Sequence, residues 1–187
     1  EFQPQFELDD ALHLAKELGV DMQVLTLKVL SVPHVSDNPH DRCYYCKKAI
    51  FGAITAAAAA DGFTVLLDGT NASDDAGDRP GMRALSELSV LSPLRECGLT
   101  KEQIRQLSKE AGLFTWDKPA YACLATRIST GEEITEDKLS ATEIFARLYG
   151  FSRAFSGRPC AAAGAGGAVR AFVGTAQSHS GKAERIL

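Results

Sequence analysis

The chain has 187 residues, a formal net charge of −4 and a hydrophobic content of 45%, which suits one globular domain with a small appendage. The charge offers no basic face, so no nucleic-acid partner is expected, and no apolar run approaches the roughly 20 residues of a membrane span. Five cysteines without a secretory signal pattern indicate a cytoplasmic protein, in which thiols more often bind metal or react than pair as disulfides.

The N-terminal third of the chain alternates between helix and strand signals. Residues 9–19 predict an amphipathic helix that ends at Gly19, and residues 20–30, rich in Val and Leu, predict a strand. Residues 44–60 contain an alanine run and predict a second helix, and residues 63–67 predict a short buried strand. This order implies parallel strands with crossover helices, so the expected fold class is α/β with a parallel sheet.

The second half predicts further helices and then an unusual tail. A short helix is expected near 82–88, and a capping box at Thr100 and Gln103 predicts a helix that begins there. Residues 135–149 look helical again. From residue 157 onward the chain is rich in Ala and Gly without a usable period, which predicts poor order.

The cysteines carry the most informative pattern. Cys43 and Cys46 form a Cys-x-x-Cys pair at a predicted helix start, and Cys123 lies far along the chain, four residues before Arg127. Three thiolates suit an iron–sulfur cluster with one open iron, or a zinc ion with one open position. A zinc site that adds His40, a helix-start redox pair and inert thiols remain alternatives.

Polar and basic residues supply two further candidate sets. A loop after the predicted strand 63–67 offers oxygen ligands for Mg²⁺ or a ribose hydroxyl, unless it is simply a solvated turn. Its candidate ligands are Asp68, Asn71, Asp74 and Asp75. Basic residues nearby could bind phosphate or lie at the surface as solvated charges. They are Arg79, Lys101, Arg105, Lys118 and Arg127. Neither a Gly-x-x-x-x-Gly-Lys-Ser/Thr nor a Gly-x-Gly-x-x-Gly motif follows a strand.

Several motifs occur together in a fixed order. They are the segments 38–47, 68–71, 78–81, 92–94, 100–105 and 116–127, which include Arg-Cys-Tyr-Tyr-Cys-Lys, Asp-Gly-Thr-Asn and Ala-Cys-Leu-Ala-Thr-Arg. Through them, residues 37–140 resemble the LarE-type ATP-dependent sacrificial sulfur transferases, members of the PP-loop ATP-pyrophosphatase superfamily. The resemblance implies a nucleotide-binding core at 1–118, a sulfur-transfer region at 119–156 and a low-complexity tail at 157–187.

The resemblance also implies a reaction. Such enzymes use ATP and Mg²⁺ to adenylylate a carboxylate of a pyridinium mononucleotide and then replace oxygen with sulfur, which leads to a nickel-pincer nucleotide cofactor. In one branch the cysteine matching Cys123 gives up its own sulfur. In another branch three cysteines, matching Cys43, Cys46 and Cys123, hold a four-iron four-sulfur (4Fe-4S) cluster, and this sequence resembles that branch.

Residue roles follow from the same resemblance. Cys123 and Arg127 are expected to be catalytic, and the cysteines at 43, 46 and 123 to bind the cluster. The ATP and phosphate contacts are expected from Asp68, Asn71, Asp74, Asp75, Arg79, Lys101 and Arg105. A homo-oligomer is expected.

Two departures from the family pattern shape these expectations. The family's ATP loop, Ser-Gly-Gly-x-Asp-Ser, does not precede the first helix, so we expect the chain to bind ATP poorly. The tail replaces an Arg-Val-Arg-like strand, which a frameshift or an incomplete gene would explain. Two alternatives to a sulfur transferase remain. One is an ATP-driven tRNA thiolation enzyme, which the acidic net charge disfavours, and the other is a non-catalytic zinc-binding remnant.

Overall fold

The first helix begins earlier than the sequence predicts. The computed structural model describes residues 1–74 and 80–148, with backbone alone for 147–148, 172–177 and 183–186. Helix α1 spans Gln5–Leu18 and follows Pro4, whose extended backbone starts the helix without a side-chain cap. It ends as predicted at Gly19, where φ is 65°, a left-handed conformation that glycine adopts without a Cβ penalty.

Helix α2 is the longest element and spans Arg42–Ala60. Its start lies two residues before the prediction, so Cys43 belongs to the helix and not to the preceding loop. Phe51, Ile54 and Ala58 are buried along one of its faces. The chain leaves the helix through Gly62, whose φ is 85°.

Three helices follow, and then a series of short turns. Helix α3 spans Pro80–Glu87, α4 spans Pro93–Glu96 and α5 spans Lys101–Glu110. The predicted capping box is confirmed at α5, because the Gln103 N–H donates to the Thr100 side chain while the Thr100 N–H donates to the Gln103 side chain. Three 3₁₀ turns and one more helix complete the helical elements of the described residues: Val29–Ser31, Phe114–Asp117, Leu124–Arg127 and α6 at Glu136–Leu148.

The described strands are short and antiparallel. β1 at Gln23–Val24 pairs with β2 at Phe172–Gln177, which pairs with β3 at Ala183–Ile186. Of the predicted strand 20–30 only two residues are therefore in a strand. The predicted strand 63–67 contributes one parallel bridge, between Leu67 and Leu91. The parallel α/β sheet stays a prediction.

The structure describes little of the predicted tail, and it shows packing across the predicted region boundary. Apart from the backbone of β2 and β3, the tail 157–187 lies outside the described residues. The predicted boundary at 118 falls between two 3₁₀ turns, yet one hydrophobic cluster takes Phe2 and Val29 from before it and Leu124 and Ile134 from after it. In the part of the chain that the structure describes, no helix is long and apolar enough to cross a bilayer.

Two hydrophobic clusters meet on α2. The first surrounds Val35 and Leu124, and the Cys46 and Cys123 side chains pack against it. The second contains Phe51, Ile54 and Leu85, and it fixes α3 against α2. Ile50 contacts both clusters. Helix α2 therefore carries its cysteines at a position that packing on both sides determines.

Ile54→Ala should lower the free energy of unfolding by about 2–5 kcal/mol, because it leaves a cavity between α2 and α3. The Ile54 side chain is 1% exposed, whereas Ile144 is 57% exposed, so Ile144→Ala should cost at most about 0.5 kcal/mol. Urea unfolding followed by circular dichroism measures both values. Equal losses for the two variants would contradict the assigned core.

Candidate functional site

Two segments about 90 residues apart are joined by Asn38. Its side-chain amide donates to the carbonyl oxygens of Ile128 and Ser129, at 3.3 and 2.8 Å, and its own carbonyl accepts the N–H of Gly131 at 2.8 Å. Asn38 is buried and has a φ of 50°, a left-handed conformation that asparagine adopts more readily than most residues. These bonds attach the loop before α2 to the segment after Cys123.

Arg42 makes the second connection. One nitrogen of its guanidinium, Nη1, donates to Asn38 Oδ1 and to the carbonyl oxygen of Ala125, both at 2.9 Å. The other, Nη2, lies 3.6 Å from Cys43 Sγ. Arg42 is buried, so its charge is held inside the site by these partners and cannot move to solvent. The first turn of α2 is thereby fixed against the turn that follows Cys123.

The three predicted cysteines come together around this arginine. Cys43 is exposed, while Cys46 and Cys123 are half-buried. The pKa of Cys46 is raised from 9.0 to about 12, mainly by burial and also by the neighbouring Cys123 and Cys43, whereas Arg42 opposes the shift. Cys43 contributes to the pKa shifts of both Cys46 and Cys123, so the three sulfurs share one neighbourhood.

The surroundings of Cys123 shift its pKa in both directions. Burial raises its pKa, while the Arg42 charge and hydrogen bonds from the backbone of Ala125 and Thr126 lower it. Cys123 precedes the 3₁₀ turn Leu124–Arg127, and the N–H groups of Ala125 and Thr126 in that turn point toward its sulfur. These donors would stabilise a thiolate or any anion formed there.

The described residues contain no preformed metal site. Across 1–74 and 80–146, no three or more His, Cys, Asp or Glu side chains surround a point where a metal ion could bind, and this includes the alternative zinc set of His40, Cys43 and Cys46. A tetrahedral zinc ion needs its sulfur ligands at about 2.3 Å from one centre. The thiols therefore meet without forming a ready ligand set, and the 4Fe-4S cluster stays a prediction.

Arg127 supports the backbone that carries Cys123. Its Nη1 donates to the carbonyl oxygens of Ala122 and Cys123, at 2.9 and 3.3 Å, and its guanidinium lies 4.3 Å from the centre of the Tyr121 ring. The predicted contact with phosphate or thiolate stays a prediction. The contacts that the structure shows are those of a residue that holds the cysteine in place.

The acidic loop is organised by its own hydrogen bonds. Asp68 is buried, and its carboxylate accepts bonds from the Thr70 N–H, the Thr70 hydroxyl and the Ser92 hydroxyl, at 3.1, 2.5 and 2.7 Å. Its backbone N–H donates to the Leu91 carbonyl as part of the parallel bridge. Asp68 thus lies at the end of that bridge, where the sequence places it, with several of its lone pairs already used.

Hydrogen bonds attach the rest of this loop to α4 and α5. The Asn71 N–H donates to Asp74 Oδ2 at 2.9 Å, and the Lys101 N–H at the start of α5 donates to the Ser73 hydroxyl at 2.9 Å. Arg95 Nη1 donates to the Asp74 carbonyl at 2.6 Å. The predicted ligands Asp75 and Arg79 lie outside the described residues.

Arg105 and Lys118 have partners outside this loop. The Arg105 guanidinium donates to the carbonyl oxygens of Trp116 and Lys118, and the Lys118 ammonium pairs with Glu7 and Asp10 at 3.1 and 2.6 Å. With Lys101 they border a shallow groove of about 290 Å³ between α1 and α5. Among the predicted phosphate ligands, Arg105 therefore already has carbonyl partners.

Lys47, like Asn38 and Arg42, is a residue of this region that sequence reasoning missed. Its side chain lies against Gly81 of α3, where the space left by the absent Cβ receives the lysine stem. Burial lowers the pKa of Lys47, while Asp68, Cys43, Asp74 and Cys46 each raise it. The Lys47 ammonium thus interacts electrostatically with both the thiols and the acidic loop.

The comparisons with known proteins agree with the motif-based resemblance. No family model matches the chain. The pyridinium-3,5-bisthiocarboxylic acid mononucleotide synthase of Lactiplantibacillus plantarum is 36% identical over 148 residues, which are 78% of this chain and 54% of that protein. This similarity supports the LarE-type resemblance.

Two further relatives are uncharacterised proteins. One from Synechocystis sp. is 37% identical over 150 residues, 79% of this chain and 56% of its own length. One from Methanocaldococcus jannaschii is 34% identical over 148 residues, 78% of this chain and 56% of its own length. The chain thus spans about half the length of the curated relatives that it matches.

Asn38→Ala should lower the free energy of unfolding by about 2–4 kcal/mol, because it removes the bonds to the Ile128 and Ser129 carbonyls and one of the two oxygen acceptors of the buried Arg42 guanidinium. Asn38→Gly removes the backbone strain but not this loss, so it should remain destabilised. Asp37→Ala, at an exposed neighbouring position, is the matched control. Urea unfolding that shows Asn38→Gly as stable as the parent protein would disprove the role of the side chain.

Alkylation by iodoacetamide at pH 8 should separate the described cysteines. Thiolate is the reacting form, so the exposed Cys43 and Cys97 should react at least on the order of 100-fold faster than Cys46, whose pKa is raised to about 12. Peptide mass spectrometry over time measures the rates, and the same reaction in urea should bring them together. Equal rates in the folded protein would contradict the buried position of Cys46.

Proposed function

We propose that this chain belongs to an ATP-dependent sulfur transferase that acts on a carboxylate of a pyridinium mononucleotide, in the biosynthesis of a nickel-pincer nucleotide cofactor. One structural observation carries the proposal. Cys43, Cys46 and Cys123 share a neighbourhood with the buried Arg42, which donates toward Cys43 and lowers the pKa of the other two thiols. The similarity to a bisthiocarboxylic acid mononucleotide synthase supports the substrate class.

The chemistry requires activation before sulfur arrives. A carboxylate is a poor electrophile, because its leaving group would be an oxide. If a carboxylate oxygen attacks the α-phosphorus of ATP, pyrophosphate departs and the carbonyl carbon gains AMP as its leaving group. Mg²⁺ would neutralise the phosphate charge. The loop 68–74 is the proposed nucleotide side, since Asp68 directly follows the bridge between Leu67 and Leu91.

Sulfur would then come from the cysteine site. We assign the three cysteines to a 4Fe-4S cluster, as in the branch that the sequence resembles, where the cluster supplies the transferable sulfur. The residues of this chain would fix that site. Asn38 and Arg42 hold α2 against the Cys123 turn, and Arg127 holds the Cys123 backbone.

A second sulfur source is favoured by the lack of a preformed ligand group among residues 1–74 and 80–146. Here the Cys123 sulfur attacks the adenylylated carbonyl, a C–S bond forms, and AMP leaves with the electron pair of the broken C–O bond. Loss of the Cα proton of Cys123 then breaks its Cβ–S bond, which yields dehydroalanine and the thiocarboxylate. Arg42 and the N–H groups of Ala125 and Thr126 would stabilise the thiolate in this route.

The remaining alternatives have less support. A tRNA thiolation enzyme would need a basic surface for the phosphate backbone, and the chain has a net charge of −4. A zinc-binding remnant would use the Cys43, Cys46 and His40 set discussed above, which does not surround a common point. A homo-oligomer stays a prediction.

Cys123→Ala should abolish sulfur transfer in both routes, because it removes either a cluster ligand or the donor itself. The assay incubates the full-length gene product with ATP and the pyridinium mononucleotide, and measures thiocarboxylate by mass spectrometry. Cys97→Ala, at an exposed cysteine outside the site, should keep full activity. Transfer by the Cys123→Ala variant at the parent rate would overturn the proposed function.

The sulfur source is decided on the parent protein. After anaerobic incubation with iron and sulfide, a brown protein with visible absorption that Cys123→Ala does not reproduce supports the cluster. A colourless protein whose Cys123 becomes dehydroalanine after one turnover supports the sacrificial route. A colourless protein that retains zinc and makes no thiocarboxylate would favour the zinc-binding remnant.

A further inference from the structure

One side chain holds the backbone on both sides of Cys123. Arg127 Nη1 donates to the carbonyl oxygen of Ala122, in the peptide group before Cys123, and to that of Cys123 itself, at 2.9 and 3.3 Å. Thr126 also donates to the Cys123 carbonyl, through its N–H and its hydroxyl, so Arg127 adds the link to the preceding peptide group. The orientation of the two peptide groups sets φ and ψ of Cys123, and with them the direction of its sulfur.

The Tyr121 ring limits the movement of this guanidinium. Arg127 Cζ lies 4.3 Å from the ring centre, within the distance at which a guanidinium stacks on an aromatic face. Arg127 is exposed, and a long exposed side chain loses rotamer freedom when it is held in one position. Stacking on the ring offsets part of that loss, so Tyr121 favours the position in which Arg127 reaches both carbonyl oxygens.

The N-terminal residues hold the Tyr121 ring in turn. The rings of Phe6, on α1, and Tyr121 meet edge to face, with their centres 5.0 Å apart and an angle of 88° between their planes, which is a favoured geometry for aromatic pairs. On one side of Tyr121, the Lys118 ammonium pairs with two carboxylates of α1. On the other side, the Leu124 N–H donates to the Phe2 carbonyl at 2.8 Å. The segment 118–124 is therefore attached to the N-terminal residues at three points.

The hydroxyl group of Tyr121 does not explain the position of the ring. Its oxygen is buried and has no hydrogen-bond partner within residues 1–74 and 80–146, and a buried hydroxyl without a partner is unfavourable. The contacts with Phe6 and Arg127 are made by the ring itself. A phenylalanine at this position could make the same two contacts.

We propose that Tyr121 is a positioning residue for sulfur transfer, which acts through Arg127 to fix the direction of the Cys123 sulfur. The inference rests on the proposed function for the role of that sulfur. In both proposed routes the reacting sulfur is either that of Cys123 or part of a group that Cys123 binds. A misplacement of about 1 Å at a reacting atom can lower a rate about 100-fold, so a ring that keeps Arg127 in place supports the transfer.

The test measures alkylation of Cys123 by iodoacetamide in the reduced, metal-free chain, relative to alkylation of Cys46. Both cysteines pack against the same hydrophobic cluster, so a general loosening of the fold exposes both and leaves the ratio of their rates unchanged. Tyr121→Leu should raise this ratio at least about fivefold, a factor typical of one lost stacking contact. Tyr121→Phe keeps the ring and should stay within about twofold of the parent ratio.

Two further variants make the comparison specific. Phe114→Leu is the matched control, because the Phe114 ring also stacks on α1, 4.6 Å from the His13 ring, and it should leave the ratio within about twofold of the parent value. Arg127→Lys keeps the charge but lacks the planar group that stacks and donates twice, so it should raise the ratio about as much as Tyr121→Leu. If Tyr121→Leu does not fold, Arg127→Lys decides by the same criterion.

The double variant tests whether Tyr121 acts through Arg127. Tyr121→Leu with Arg127→Lys should exceed the larger single effect by less than about twofold, because two side chains that form one unit are not independent. Multiplied effects would overturn action through Arg127. A parent ratio in both single variants, or an equal rise in Phe114→Leu, would overturn the positioning role of Tyr121.

The link to the reaction is measured on the full-length gene product. Tyr121→Leu should lower the single-turnover rate of thiocarboxylate formation at least about tenfold and change the ATP concentration for half-maximal rate less than about twofold, whereas Tyr121→Phe should keep the parent rate. A parent rate in Tyr121→Leu would overturn the role in transfer. A parent protein that forms no thiocarboxylate rejects the proposed function, and an unchanged alkylation ratio rejects positioning by Tyr121, so the two failures are distinguishable.

Discussion

The site depends on a buried cation that closes a loop of more than 80 residues. Arg42 reaches across to the carbonyl of Ala125 and is oriented by Asn38, which binds the carbonyls of Ile128 and Ser129. Closing so long a loop costs conformational entropy, and a buried guanidinium costs free energy unless its donors are satisfied. The carbonyl partners at Ala125 and Ile128 belong to residues that pack in the hydrophobic cluster around Leu124, so packing helps to hold the arrangement together.

The helical repeat of α2 places two pairs of site residues on neighbouring faces of the helix. Arg42 and Cys46 are four residues apart on α2, as are Cys43 and Lys47, so each pair lies along one face. The first pair turns toward Cys123 and the hydrophobic cluster. In the second pair the Lys47 stem packs against Gly81 of α3, whereas Cys43 Sγ lies 3.6 Å from Arg42 Nη2.

Local signals in the sequence predicted the helices better than the strands. The helix start at Thr100 and the helix end at Gly19 are confirmed. Each depends on residues that are close in the sequence: side-chain hydrogen bonds between Thr100 and Gln103, and a positive φ at Gly19. The strand predicted at 20–30 depended on hydrophobic composition, and strand pairing depends on partners far along the chain. In the structure β1 pairs with residues 172–173, which no local pattern in the sequence indicates.

The candidate site was predictable in its residues but not in its connections. The Cys-x-x-Cys spacing and the motif around Cys123 identified the thiols, and the loop after residue 67 identified Asp68. The connections through Asn38 and Arg42 and the position of Lys47 were missed. The helix was predicted to start at Tyr44, which left Arg42 and Cys43 in a loop without a defined direction, whereas the helix begins at Arg42 and Arg42 Nη2 lies 3.6 Å from Cys43 Sγ.

The first turns of α2 also carry two side chains with opposed pKa shifts. Burial raises the pKa of Cys46 and lowers that of Lys47, so burial opposes charge on both side chains. The Asp68 and Asp74 carboxylates favour the Lys47 ammonium, and Arg42 favours the Cys46 thiolate. The charged form of each side chain therefore depends on groups that the fold brings to α2, and a change in either neighbour would be felt at the cysteines of the proposed sulfur site.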